Sequence, residues 1–322
     1  MDPVRFFGAS RLIIVAGKGG VGKTVVSATL ARAAARVGLS TLVIEVEGKS
    51  GLATMFGQPA LAYDDVVLSA GGGPTGEGEV RARTLTPDDA LLDYLRDHGL
   101  SRISKRLVAT GALDVVATAA PGIKDILILG KVKQLERKGD VDLLVLDAPA
   151  AGHAITFLQA ACALLDTVRV GPINAQAKDV LAMLTDHARC RVVLVTLPEE
   201  TPVNELVDTA FNLEDRVGVG LGPVVVNGLY DEVVGLSAAP TTAATEAGTT
   251  LRRGEVAALA SAAAFRADRM ELQVEQLARL ADQLPLPQLR LPFVFTTEIG
   301  PAELDLLADR LLAEIAALPE PV

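Results

Sequence analysis

Residues 12–16 are unbroken apolar sequence, and an alanine-rich segment of helical character follows over 23–37, ending near Gly38. Residues 41–46 are again mostly apolar. A strand with one wet face alternates apolar and polar residues, so an unbroken run predicts burial on both faces, as in a parallel sheet. Strand, helix, strand in this order predicts a right-handed crossover and a doubly wound α/β sheet. Similar runs stand at 142–147, 192–196 and 224–227, each followed by turn residues or a helix start. Residues 1–11 read as a short lead-in. The pattern leaves strand order open.

Between these runs the sequence changes character. Residues 69–78 are rich in glycine and predict a loop. Thr86-Pro87-Asp88-Asp89 predicts a helix start, with Thr as cap, Pro in the first turn and acids beside the positive end of the helix dipole. Leu91, Leu92 and Leu95 give that helix an apolar face. Helix-type sequence fills 101–138, with an interruption at Pro121-Gly122, and 251–284 reads as one long helix or two short ones. Residues 236–249, rich in Ala and Thr, read as a second loop. The closing helix, 301–318, carries Leu304, Leu307, Leu311, Ile315 and Leu318 at helical spacing, which predicts core packing. The expected organisation is a single domain over 1–322, with an α-helical subdomain inserted at about 84–138 and 230–284.

The chain has 322 residues, half of them hydrophobic, and a net charge of −10 from 30 Lys and Arg against 40 Asp and Glu. Such an acidic balance disfavours nucleic acid as a partner. Cys162 and Cys190 make neither a disulfide framework nor a zinc site, which fits a reducing compartment. The first apolar run is short and broken by Lys18, so no export signal is expected. No apolar run reaches the roughly 20 residues of a membrane-spanning helix. A soluble, cytoplasmic protein without an integral membrane segment is expected.

The densest chemistry lies directly after the first run. Gly17-Lys18-Gly19-Gly20-Val21-Gly22-Lys23-Thr24 matches the phosphate-binding pattern G-x-x-x-x-G-K-[ST] in full, with a strand before it and a helix after it. Glycines let the backbone wrap an anion and turn its N–H groups inward. Lys23 then reaches the β- and γ-phosphates, and the Thr24 hydroxyl is placed for Mg²⁺. The nucleotide-binding stretch is expected to run from Gly17 through Val25. An apolar strand ending in Asp147 has the form of a second metal-binding element, with the carboxylate beside the phosphate loop. The spacing lacks G-x-G-x-x-G, which argues against a dinucleotide site.

The loop G-K-G-G-V-G-K-T resembles the deviant Walker A group of dimeric ATPases. That group includes the MinD and ParA proteins, the nitrogenase iron protein, and the ATPases of arsenite export and tail-anchored protein insertion. The resemblance implies that Lys18 reaches the nucleotide of a partner subunit, while a solvated surface lysine is the plain alternative. Asp147-Ala-Pro-Ala-Ala-Gly152-His153 resembles the D-T-A-P-T-G-H switch of the ArsA/GET-type members, with alanine at both threonine positions. Gly152 and His153 are then switch residues that couple to the nucleotide. Glu47 falls where the family has the aspartate that orients the attacking water, with Glu45 as a nearby alternative on the same strand face. Asn227, Pro292 and Phe293 fall where the family contacts adenine, and residues 196–200 resemble a segment at its dimer and nucleotide interface.

The resemblance covers nearly the whole length and points to the family's bacterial members. It implies ATP or ADP with Mg²⁺, a homodimer or a heterodimer with a related ATPase, and a protein client on the helical subdomain. Arsenite capture needs clustered thiolates, which two separated cysteines do not supply. Client capture uses a methionine-rich groove, and this chain has four methionines. Ile123, Ile126, Leu127, Val132 and Leu135 are candidates for a groove or for core. Two functions follow: an ATP-hydrolysing dimeric switch, and a nucleotide-gated regulatory subunit with little turnover of its own.

Overall fold

The computed structural model describes residues 1–46, 51–72, 76–97, 99, 122–149 and 151–320. The elements are α1 (Pro3–Gly8), β1 (Leu12–Gly17), α2 (Lys23–Arg36), β2 (Thr41–Val46), α3 (Gly51–Met55), β3 (Val66–Ser69), β4 (Val80–Leu85) and α4 (Pro87–Asp97). Then come α5 (Ile123–Lys138), β5 (Leu143–Asp147), α6 (Ala151–Thr167), α7 (Pro172–Leu184), β6 (Cys190–Thr196) and α8 (Glu200–Val217). The chain continues with β7 (Val224–Leu229), α9 (Pro240–Glu246), α10 (Glu255–Gln283), β8 (Gln288–Pro292) and α11 (Pro301–Ala317).

The strands form one eight-stranded sheet in the order β3-β4-β2-β5-β1-β6-β7-β8. Among the described strands, only the β3–β4 pairing is antiparallel. β1 lies between β5 and β6, and every one of its residues is buried, which is why its sequence is apolar without alternation. The sheet grows from β1 in both directions. Its carboxyl end is therefore a switch point, where α/β sheets hold ligands.

Alternate strand residues feed two cores. Ile13 and Val15, with Val43, Val145, Val193 and Val225, face α2 and α11, where Leu30, Leu304, Leu307 and Leu311 meet them. Five buried alanines let α2 lie close to the sheet. Leu12, Ile14 and Ala16 face the opposite layer, which α5, α6, α7 and α8 build through Ile126, Phe157, Val180 and Leu213. Phe157 is 1% exposed. Phe157→Ala is expected to destabilise the chain by about 3–5 kcal/mol through lost burial and a residual cavity. A fall in the urea midpoint at unchanged slope checks this.

The α/β class and mainly parallel sheet agree with the sequence reading, and several local expectations need correction. Thr84 and Leu85, expected at the start of a helical insertion, are strand β4; the helix begins at Pro87, where the Asp89 N–H donates to Thr86 Oγ1 at 3.2 Å. The expected loop over 236–249 contains α9, which starts on a proline that needs no N–H donor there. The 251–284 stretch is one helix of 29 residues. The expected loop over 69–78 begins on the last residue of β3, and its residues 73–75 lie outside the described part. Ile126, Leu127 and Val132 are core, and Ile123 and Leu135 pack against it. Residues 101–121 of the helix-type stretch 101–138 lie outside the described residues. Among the described residues, no helix is long and apolar enough to cross a membrane.

Candidate nucleotide site at the end of the central strand

The loop after β1 is gripped on two sides. A Cβ on Gly17 would lie 2.4 Å from the Val195 carbonyl of β6, so no larger residue fits there. Gly22 has φ +88°, a left-handed conformation that favours glycine, and it opens α2 with no side chain capping the helix. A helix start with no side-chain cap suits an anion. Gly19 and Gly20 form the exposed crest of the loop, and Val21 is buried beneath it.

Lys23 is 6% exposed and folds back over the loop, donating from Nζ to the Lys18 carbonyl at 3.0 Å. Thr24 Oγ1 donates to Asp147 Oδ2 at 2.7 Å. That bond ties the start of α2 to the end of β5 across 123 residues of sequence. Asp147 is fully buried, and its register partners are Val15 in β1 and Glu45 in β2. Glu45 is buried too and accepts from Thr84 Oγ1 at 3.3 Å. Residues in register on neighbouring parallel strands point to one face, so Glu45 and Asp147 both face α2. Burial of charge in this concentration is costly in a core and common where phosphate and metal are handled.

The donors suit Mg²⁺. A hydroxyl and a carboxylate are hard oxygen ligands, and Mg²⁺ is typically held by one or two carboxylates with phosphate and water completing its shell. Glu47 lies outside the described residues. The segment expected to be a flexible switch is in part helical: Gly152 and His153 sit in the first turn of α6, and their side chains are outside the described part.

Lys18 is paired within its own chain. Its Nζ lies 2.5 Å from Glu205 Oε1 on α8, and both side chains are more than a third exposed. The segment 196–200 runs from the buried end of β6 into α8, and Glu199 pairs with Arg269 of α10 at 2.7 Å.

β7 brings Asn227 to the loop, and β8 sets Pro292 and Phe293 beside the end of β7. Asn227 Nδ2 donates to the Val21 carbonyl at 3.0 Å. Pro292 ends β8 opposite Leu229, and the Phe293 N–H donates to the Leu229 carbonyl at 2.7 Å. The Phe293 ring is 44% exposed and lies 5.4 Å from Tyr230 and 4.7 Å from Phe295, centroid to centroid. The Arg266 guanidinium stacks over Tyr230 at 4.2 Å and over Phe295 at 5.2 Å. Tyr230, Phe295, Arg266 and Glu205 escaped the sequence reading. The signal for the aromatic group was scarcity: the chain has eight Phe, three Tyr and no Trp, and three of those eleven rings meet here. The cysteines are elsewhere, and burial pushes the Cys190 thiol up to about 12, so it stays protonated at neutral pH.

The family model described as anion-transporting ATPase matches residues 10–169, from β1 through α6. The chain is 34% identical to ATPase BagA of Mycobacterium tuberculosis over 234 residues, 70% of this chain and 66% of that protein. It thus spans just under two thirds of that relative's length. It is 28% identical to a putative arsenical pump-driving ATPase of Halobacterium salinarum over 247 residues, 70% of this chain and 36% of that protein. It is also 27% identical to ATPase get3 of Neurospora crassa over 150 residues, 46% of this chain and 42% of that protein.

Proposed function

Because this chain belongs to the ArsA/GET-type ATPase family, we propose that it binds ATP with Mg²⁺ at the carboxyl end of β1 and hydrolyses it to ADP and phosphate. The observation that carries the proposal is the Thr24–Asp147 hydrogen bond at 2.7 Å beside the buried Lys23. It joins the phosphate loop to an acidic strand end, the arrangement that phosphoryl transfer requires.

Each residue then has a role. The N–H groups of the loop and of the start of α2 bind the β- and γ-phosphates, and Lys23 neutralises charge that grows on them in the transition state. Thr24 and Asp147 hold Mg²⁺, which when bound draws charge from the phosphate oxygens. Glu47 orients the attacking water. Asn227, Pro292 and Phe293 hold the adenine, with the exposed Phe293 ring as its stacking face. Gly152 and His153, at the start of α6, transmit nucleotide state to the helices behind them.

The working unit in this proposal is a dimer, either of two copies or with a related ATPase, in a cytoplasmic setting. Lys18 leaves Glu205 and reaches the nucleotide of the partner subunit. An exposed ion pair is worth about 0–1 kcal/mol, so that exchange is inexpensive. The output is the binding of a protein client or partner through the helices between β4 and β5 and between β7 and β8. The second reading, a nucleotide-gated subunit with little turnover, draws on glutamate standing where the family has aspartate.

The deciding assay is Mg²⁺-dependent ATP hydrolysis by the full chain beside Glu47→Gln. The amide cannot take a proton or align water as a carboxylate does, so kcat is expected to fall by about 10²-fold with ATP binding retained. Turnover by Glu47→Gln equal to wild type removes Glu47 from the mechanism. ATP binding without turnover in wild type favours the regulatory subunit.

A further inference from the structure

The amide of Asn227 touches the phosphate loop itself. Its Nδ2 donates to the Val21 carbonyl and joins positions 206 residues apart. The contact is close, since a Cβ on Gly22 would stand 2.3 Å from the same nitrogen. Val21 is buried and Asn227 half-buried, so the bond is partly shielded from water. The other grip on the loop, Gly17 against the Val195 carbonyl, is main chain against main chain. The Asn227 grip comes from a side chain next to the aromatic group: a Cβ on Gly228 would lie 3.8 Å from the Phe293 ring.

We propose that Asn227 is a positioning residue that clamps the phosphate loop through the Val21 carbonyl while its remaining polar atoms meet the base, so that adenine occupancy steadies the loop carrying Lys23 and Thr24. The inference rests on the ATPase reading above. A carboxamide has two N–H donors and one carbonyl acceptor. With one N–H committed to Val21, a donor and an acceptor remain on the same rigid plane. That pair matches the N6 donor and N7 acceptor of adenine. The amide cannot turn to suit another base without straining its bond to the loop. Base recognition and phosphate-loop geometry therefore become one event.

Inorganic tripolyphosphate, which has no base, separates the clamp from simple base contact. Binding of Mg²⁺–ATP and of Mg²⁺–tripolyphosphate is measured by calorimetry on wild type, Asn227→Ala and Phe293→Ala. Phe293→Ala is expected to weaken ATP and leave tripolyphosphate unchanged. Asn227→Ala is expected to weaken both, with tripolyphosphate affinity down roughly three- to tenfold, the worth of one hydrogen bond. It is also expected to lower kcat at saturating ATP. Tripolyphosphate affinity and kcat at wild-type values in Asn227→Ala overturn the clamp and leave Asn227 a base contact alone. If wild type binds neither ligand, the ATPase reading itself fails and the clamp falls with it. Should Asn227→Ala not fold, the isosteric Asn227→Asp replaces the donor with an oxygen facing Val21. Its loop amides, 17–24, then exchange hydrogen faster than wild type without nucleotide if the clamp exists, and at the wild-type rate if it does not.

Discussion

Lys23→Ala is expected to lower the Mg²⁺-dependent ATPase rate by about 10³-fold or more, because the largest catalytic term in phosphoryl transfer is preorganised charge. Lys23 is nearly excluded from solvent, so its charge acts on bound phosphate with little screening. A 10³-fold loss corresponds to roughly 4 kcal/mol of transition-state stabilisation, within reach of one ammonium in a shielded site. The fold should survive. The side chain gives up its hydrogen bond to the Lys18 carbonyl, worth about 1 kcal/mol, and the substitution also removes the cost of burying a charge. Lys23→Arg is not expected to rescue the rate, since a planar guanidinium does not fill the place of a compact ammonium between loop and phosphate. Phosphate release at saturating ATP, measured beside the thermal midpoint, checks the pair. Residual activity within tenfold of wild type at an unchanged midpoint would sink the assignment of Lys23.

What the sequence made legible follows from how its residues are buried. β1, β2 and β5 lie inside the sheet with both faces covered, so they read as apolar runs, and α11 shows its core stripe because its other face is wet. The β3–β4 hairpin escaped notice because Arg81 and Arg83 give β4 the look of a surface segment. Arg83 is nevertheless buried, paired with Asp65 at 3.2 Å and stacked over Tyr63 at 4.9 Å. A charge hidden by its partners carries no local signature. β8 is framed by Pro287 and Pro292, which read as punctuation although a sheet edge tolerates them.

The site divides along the same line. The candidate phosphate loop, Gly17 to Thr24, is one continuous stretch, so its pattern is visible in the sequence itself. Asp147 was legible because its strand ends in a carboxylate. The Asn227–Val21 bond, the Lys18–Glu205 pair and the stacking of Arg266 on Tyr230 and Phe295 join segments far apart in sequence. Only the sheet order, with β6 and then β7 following β1 on one side, brings those segments together, and nothing local encodes it.

Asp147→Asn is the other substitution expected to be severe, and it tests the metal half of the site. The exchange preserves shape, and an amide oxygen still accepts from Thr24 Oγ1, so the β5–α2 connection holds. What disappears is the negative charge. A neutral oxygen binds a doubly charged, strongly hydrated ion far less well, and the loss is felt where ADP begins to leave with new charge on its oxygens. The Mg²⁺ concentration for half-maximal rate is expected to rise by about 10²-fold, and kcat at saturating Mg²⁺ to fall by about 10²- to 10³-fold. Titrating Mg²⁺ at fixed ATP separates the two effects. Glu45→Gln is the informative comparison, because Glu45 is Asp147's register partner on the next strand and is nearly as buried. Its carboxylate accepts from Thr84 rather than from Thr24, so its replacement should shift the Mg²⁺ requirement by less than about tenfold. If Asp147→Asn leaves the Mg²⁺ dependence unchanged and Glu45→Gln abolishes it, the metal carboxylate is Glu45, one strand away from the position that the acidic strand end indicates.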